Sequence, residues 1–228
     1  MNAARIPGLA AISGLLLIGG FLAARGFAAD APGAPLATSL GSGSVLWLEG
    51  KSTLHDFESK TSQSTLALTR DPAAAVPTDV AGFESLIRSS GVRSLDLEVP
   101  VLTLKSEKSG LDKNLYKSLK ADDHPAIRFH LTQYEIEPAS GDTLRVHARG
   151  TLDIAGVQRP DTLDARVYRA PQGIWLEGSE PLLMSDFGIK PPTMMLGTVK
   201  VADRIVVHYR LLMVPKVEGT ASAPSRVN

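Results

Sequence analysis

The stretch Thr143–Ala155, TLRVHARGTLDIA, alternates apolar and polar side chains along its length. One set of positions holds the apolar residues Leu144, Val146, Ala148, Leu152 and Ile154, and the other holds Arg145, His147, Arg149 and Asp153. Successive side chains of a β-strand point to opposite faces, so this period of two predicts a strand. One apolar and one polar face is typical of an antiparallel sheet with water on one side.

Further segments are predicted as strands on the same grounds. They are Val45–Gly50, Ser59–Arg70, Val92–Leu104, Ala126–Glu137, Thr162–Arg169, Gly173–Glu177 and Val199–Val214. Seven or eight such strands can bury their apolar faces in a two-sheet sandwich or in a barrel closed on itself. Periodicity alone favours neither arrangement, although 20 Gly and 15 Pro fit many short strands.

Two segments have helical spacing instead. Apolar residues in Asp79–Ser89 and in Ser109–Ala121 recur every three to four positions. His124-Pro125 then ends the second helix, because a residue before proline avoids helical geometry. We expect these helices to cap an end of a barrel or to cover one face of the sheet.

Composition excludes several classes of protein. The 228 residues include 24 Lys+Arg and 24 Asp+Glu, and this balance argues against a nucleic-acid binder, which needs excess positive charge. With 43% hydrophobic residues the chain can build one sizeable core. The absence of Cys excludes disulfides, thiolate metal sites and a cysteine nucleophile.

The N-terminus has the features of a secretory signal peptide. A short basic segment precedes the apolar run Gly8–Ala24, and small residues follow it, which predicts cleavage after Ala28 and export to the periplasm or beyond. An uncleaved membrane anchor is the alternative. Residues 29–43 and 215–228 are predicted as a flexible linker and tail, which leaves one domain over residues 44–214.

Ser52, His55 and Asp56 supply the residue types of a hydrolase triad within five positions. A triad requires aligned hydrogen bonds and an oxyanion hole, and the chain has no Gly-x-Ser-x-Gly motif. Ser and Asp more often cap turns through local bonds to the backbone. We therefore predict a structural turn and no catalytic residues.

The histidines do not form a metal-binding motif. His130, His147 and His208 fall on the polar faces of predicted strands, and none has a short His-x-x-x-His spacing. A solvated sheet face is the expected surrounding, so no metal site is predicted. Phosphate-binding glycine loops are absent from the sequence as well.

Several motifs occur in the order found in a known family. They are Ser52–Glu58 (STLHDFE), Leu111–Leu115 (LDKNL), His124–Phe129 (HPAIRF), Gly150–Pro160 (GTLDIAGVQRP) with Thr162-Leu163, and Ser185–Ile189 (SDFGI). With the final long strand, this order resembles the YceI-like family of secreted lipid- and polyisoprenoid-binding proteins. Two features depart from the family pattern: Asp161 replaces an apolar residue, and the connection over residues 72–91 is long.

The resemblance implies an all-β fold, an eight-stranded antiparallel lipocalin-like barrel with one or two short helices. It also implies a function: binding and transport of a polyisoprenoid, an isoprenoid quinone or a fatty-acyl chain, without catalysis and with no cofactor beyond that ligand. Expected partners are the apolar lipid, a membrane or membrane protein touched transiently, and a second copy if the protein dimerises. An envelope-stress or structural interaction protein with a filled barrel is the alternative.

Strand alternation, together with two aromatic residues in connections, yields a set of candidate cavity residues. They are Phe57, Leu97, Ile127, Phe129, Val146, Ile154, Trp175, Phe187, Val207 and Tyr209. The Met-containing loop Pro191–Leu196 either lines the mouth of an apolar pocket, because Met adapts to irregular partners, or plugs the end of the barrel. A single bulge would invert the assignment of faces within a strand.

Overall fold

A computed structural model describes residues 33–138, 141–194 and 198–216, and these residues form mainly β-strands. The strands are β1 (Ala34–Leu36), β2 (Thr38–Leu40), β3 (Val45–Ser52), β4 (Asp56–Thr61), β5 (Thr65–Arg70), β6 (Val92–Pro100), β7 (Ala126–Pro138), β8 (Leu144–Ile154), β9 (Val157–Ala170), β10 (Gly173–Leu183), β11 (Thr193–Met194) and β12 (Val199–Pro215). Two α-helices accompany them, α1 (Val80–Arg88) and α2 (Ser109–Ser118). The predicted all-β class with one or two short helices is confirmed, although the described residues form twelve strands, several of them short, and not eight.

One antiparallel sheet runs in the order β1-β5-β6-β7-β8-β9-β10-β12-β3-β4. Most neighbours are consecutive in the chain, because short turns join antiparallel strands. The exceptions are β1, which pairs with β5, and β12, which pairs with β10 along one edge and with β3 along the other. This pairing brings the first and last long strands of the chain together, so the sheet curls around an interior.

The curl differs from the sealed barrel expected from the family, because β4 and β5 are not paired in a ladder. Strand β4 instead forms an isolated bridge with the connection that follows β6, in which Lys60 and Lys105 exchange two backbone hydrogen bonds of 2.9 Å. Thr61 ends β4 here, since its hydroxyl donates to Thr103 Oγ1 at 2.8 Å and accepts from the amide of Gln63 at 2.9 Å. The predicted strand Ser59–Arg70 is therefore two strands.

Residues 34–40 close the sheet next to this seam. Over Ala34–Leu36 the chain pairs with β5, and over Thr38–Leu40 it pairs with the end of β12. Between the two strands, the carbonyl of Ala37 accepts from the amide of Lys216 at 2.8 Å. The predicted linker over residues 29–43 is wrong for this segment, while residues 29–32 and the tail beyond Lys216 lie outside the described residues.

The two helices cover different ends of the curled sheet, as the sequence predicts. Helix α1 begins at Asp79, whose carboxylate accepts from the amide of Gly82 at 2.7 Å, and it buries Phe83, Leu86 and Ile87. Helix α2 faces the interior with Leu111 and Leu115 among others. In the described part of the chain, no helix is long and apolar enough to cross a membrane, and the predicted signal peptide precedes that part.

The cap of α1 yields a stability prediction. Replacing Asp79 with Ala removes the acceptor for the Gly82 amide, so we expect the free energy of unfolding to fall by about 1 kcal/mol. Urea denaturation followed by circular dichroism measures this loss. Asp79→Asn keeps a capping oxygen and should lose much less, and equal losses in both variants would show that the cap is unimportant.

Candidate functional site

The interior of the curled sheet contains two adjacent apolar cavities. The larger has a volume of about 160 Å³ and reaches α2, and we call it the α2 cavity. The smaller has a volume of about 90 Å³ and reaches α1, and we call it the α1 cavity. Four residues line both cavities: Leu97, Phe129, Leu163 and Tyr209. These four, hereafter the waist, separate the cavities by a single layer of side chains.

Nine of the ten candidate residues line this interior. Phe57, Ile127, Ile154, Phe187 and Val207 line the α2 cavity, Val146 lines the α1 cavity, and Leu97, Phe129 and Tyr209 belong to the waist. For the eight that lie in strands, the inward orientation follows from strand alternation, because positions two apart share a face. Phe187 lies in a short 3-10 turn after β10. Their role in binding a ligand stays a prediction.

Trp175 was wrongly predicted to face inward. Its neighbours Ile174 and Leu176 point to the interior, where Ile174 is fully buried and Leu176 lines the α1 cavity. The Trp175 ring lies on the outer face, with the guanidinium of Arg210 4.2 Å from its centre. A cation–π contact stabilises an indole beside water, which explains why the largest apolar residue of this strand faces outward.

Sequence reasoning missed other cavity residues that the same alternation would have found. Leu163 of the waist and Leu176 share the inner faces of β9 and β10 with predicted or buried residues. Strand β10 was predicted to end at Glu177, but it continues to Leu183. The missed residues therefore include Glu180 and Leu182, which both line the α2 cavity.

Glycines opposite aromatic residues keep the rings against the wall. Gly50 on β3 pairs with Phe57 on β4, and Gly178 on β10 pairs with Tyr209 on β12. A Cβ atom at Gly50 would lie 2.2 Å from the Phe57 ring, so any larger residue there must displace the ring. The Tyr209 hydroxyl donates to the carbonyl of Asp164 at 2.8 Å, which fixes the second ring. The interior keeps its free volume because both rings lie over backbone.

Glu180 is the acidic residue in the wall of the α2 cavity. Burial first, and then the nearby charges of Asp161 and Asp164, together raise the pKa of its carboxyl to about 7. Burial also raises the pKa of the Tyr209 hydroxyl, and the negative charge of Glu180 is the next largest cause. Among the described residues, no cation pairs with the Glu180 carboxylate.

The turn at Ser52 and His55 forms part of the rim of the α2 cavity, since both residues line it. The Ser52 hydroxyl donates to the carbonyl of His55 at 2.7 Å and accepts from the amides of Leu54 and His55 at 3.3 and 3.2 Å. His55 Nδ1 lies 3.0 Å from the backbone oxygen of Asp56, whose carboxylate is not its partner. The predicted structural turn is confirmed, and the triad geometry is not formed.

The histidines of the strands lie on the outer face, each with its own acidic neighbour. His130 contacts Asp96 at 2.6 Å, His147 contacts Asp164 at 2.6 Å and Glu137 at 3.5 Å, and His208 lies 3.6 Å from Glu49. The hydrogen bond to Asp164 raises the pKa of His147. Within the described ranges, no group of three or more His, Cys, Asp or Glu residues could hold a metal ion.

The raised pKa of Glu180 predicts a pH-dependent cost in stability. The folded state retains the proton more tightly than the unfolded state, so stability falls as pH rises from the ordinary value of 4.5 to about 7. Glu180→Gln should raise the free energy of unfolding at pH 8 by about 1 kcal/mol, less than the full shift implies because water screens this partly exposed carboxylate. At pH 4 the variant and the parent should be equally stable.

Urea denaturation at pH 4 and pH 8 measures this difference. The control is Glu98→Gln, which removes a carboxylate from the outer face, where Glu98 pairs with Arg128 at 2.9 Å. It should give no stabilisation at pH 8. An equal gain in the free energy of unfolding in both variants would mean that the net charge of the protein, and not the burial of Glu180, causes the loss of stability at high pH.

Known proteins share this fold. BcnA from Burkholderia cenocepacia superposes with a TM-score of 0.54, at 17% identity over 75% of this chain and 96% of that chain. A polyisoprenoid binding domain from Saccharophagus degradans implicated in plant cell wall breakdown gives a TM-score of 0.57, at 12% identity over 79% of this chain and 99% of that chain. No curated protein matches the sequence. A YceI-like domain profile, however, matches residues 48–213, so the chain belongs to the YceI-like family.

Proposed function

We propose that this protein binds a long apolar lipid, such as a polyisoprenoid, an isoprenoid quinone or a fatty-acyl chain, in the interior of its curled sheet. The observation that carries the proposal is the pair of apolar cavities that meet at the waist. The Saccharophagus degradans relative, a polyisoprenoid binding domain by description, supports the same ligand class. A filled interior, which the alternative structural role requires, fits these cavities less well.

The chemistry of the interior suits such a ligand. Each methylene removed from water contributes about 0.8 kcal/mol, so an apolar chain gains by entering a dry cavity. A cavity of about 150 Å³ lined by Leu, Ile and Phe stays dry and admits benzene. The α2 cavity is of this size and its wall is largely apolar, so it accommodates one segment of a chain. A longer chain must also occupy the α1 cavity and displace the waist side chains.

The rim suggests how such a ligand is exchanged. Leu54, in the turn between Ser52 and His55, has 66% of its surface exposed, and Leu183, at the end of β10, has 41%. Exposed apolar side chains beside the α2 cavity support transient contact with a membrane. Export through the predicted signal peptide would place this exchange in the periplasm. The Ser52 turn supports a role without catalysis, because its hydroxyl is engaged by backbone.

The proposal predicts that the protein purified from its own cells carries lipid. Mass spectrometry of an organic extract should detect a long-chain lipid in the parent protein. Leu97→Asp places a charge in the waist and should abolish the signal, because burying a carboxylate beside an acyl chain is costly. Ser94→Asp adds the same charge on the outer face of β6 and should retain the lipid. Lipid-free parent protein would contradict the proposal, provided that circular dichroism shows a folded sheet.

A second prediction follows from the contact between Gly50 and Phe57. Gly50→Ala must displace the Phe57 ring, and we expect the ring to move into the α2 cavity and weaken binding there about tenfold. Titration with the neutral fluorophore N-phenyl-1-naphthylamine measures the affinity. The double variant Gly50→Ala/Phe57→Ala should recover binding, since it removes the displaced ring. Unchanged affinity in Gly50→Ala would show that Phe57 does not limit the cavity.

A further inference from the structure

Glu180 interrupts an otherwise apolar row on the inner face of β10. That row consists of Ile174, Leu176, Gly178, Glu180 and Leu182. On β12, Glu180 lies opposite Val207, and the adjacent inner residues of that strand are Ile205 and Tyr209. Its carboxylate is therefore held in the wall of the cavity in which we propose that the lipid binds.

The charged groups around Glu180 are negative, and none of the described residues donates a hydrogen bond to its carboxylate. Asp161 and Asp164 on the neighbouring strand β9 act on it with charges of the same sign. From β12 the Tyr209 hydroxyl donates to the carbonyl of Asp164, so its hydrogen is already used. His55 lies in the wall of the same cavity, but its Nδ1 contacts the backbone oxygen of Asp56.

A carboxylate in this position selects among polar groups. A partly buried acceptor without a hydrogen bond carries a desolvation cost, and a donor that reaches it removes that cost. A second anion beside it is repelled, because like charges interact strongly where water is partly excluded. A hydroxyl can donate to the carboxylate without bringing a charge into the cavity.

We propose that Glu180 determines ligand specificity, and that the cavity takes long-chain lipids whose polar end is an uncharged hydrogen-bond donor, a long-chain alcohol, in preference to fatty acids and lipid phosphates. This inference rests on the proposed lipid-binding function and adds the class of head group. The pKa of about 7 means that discrimination against anions weakens as pH falls, because the carboxyl becomes neutral.

The test compares two ligands with the same apolar chain, dodecan-1-ol and dodecanoate, by displacement of N-phenyl-1-naphthylamine at pH 8. Any apolar cavity prefers the alcohol to some extent, because the free carboxylate must lose its water. The informative quantity is therefore the change in the affinity ratio when Glu180 is replaced. Glu180→Gln has nearly the same shape and cannot ionise, so it should bind dodecanoate about tenfold more tightly than the parent does.

Two further variants complete the design. Glu180→Leu removes both charge and acceptor, so dodecan-1-ol should bind about three- to tenfold more weakly than in Glu180→Gln. Glu98→Gln removes a carboxylate from the outer face and should keep the parent ratio. Lowering the pH from 8 to 6 should narrow the affinity ratio more in the parent than in Glu180→Gln, where only the protonation of the ligand itself contributes.

The outcomes separate the two proposals. If both ligands displace the probe but Glu180→Gln leaves their ratio unchanged, Glu180 does not select the head group and the inference is overturned. If the probe or both ligands fail to bind folded parent protein, the proposed lipid-binding function itself fails. A tenfold gain for dodecanoate in Glu180→Gln alone, and not in Glu98→Gln, supports the inference.

Discussion

The pairing of β12 with two partners is the constraint on which the interior depends. With β10 along one edge and β3 along the other, this 17-residue strand joins the two halves of the sheet. Only then do side chains from β3 and β4 face those from β6 and β7 across a shared space. Apolar residues that would otherwise lie on an open sheet face are removed from water together, which stabilises the fold and creates the cavities.

Apolar lining alone does not keep such an interior open, because large side chains on facing strands tend to fill it. The placement of glycine opposite Phe57 and Tyr209 counters this tendency. Each ring lies over a backbone segment without a side chain, as the short distances to an added Cβ show. The aromatic residues thereby contribute buried apolar area to the wall, while the centre of the interior stays free of side chains.

Strand alternation predicts this architecture well where strands are long and have one apolar and one polar face. Strand β8 has the predicted faces, and most of the predicted cavity residues point inward. The errors have local causes. Trp175 was placed on the wrong face of its strand: Ile174 and Leu176 hold the inner positions, and the Trp175 ring contacts Arg210 on the outer face. The three-residue strand Ala34–Leu36 is too short to show a period, and only its pairing with β5 reveals it. Glu180 was missed because the predicted strand ended at Glu177, whereas β10 continues to Leu183.

The seam between β4 and β5 gives the barrel a mechanical weak point. Elsewhere, separating two neighbouring long strands would break a ladder of many backbone hydrogen bonds. At this edge, β4 is held to the connection after β6 by the two backbone bonds between Lys60 and Lys105 and by the side-chain bond from Thr61 to Thr103. Local opening is cheapest where the fewest bonds hold an element, so this side of the wall is the first to part. If β4 and β5 moved apart, a ligand with a bulky or branched apolar tail could enter the interior while the rest of the sheet stays folded.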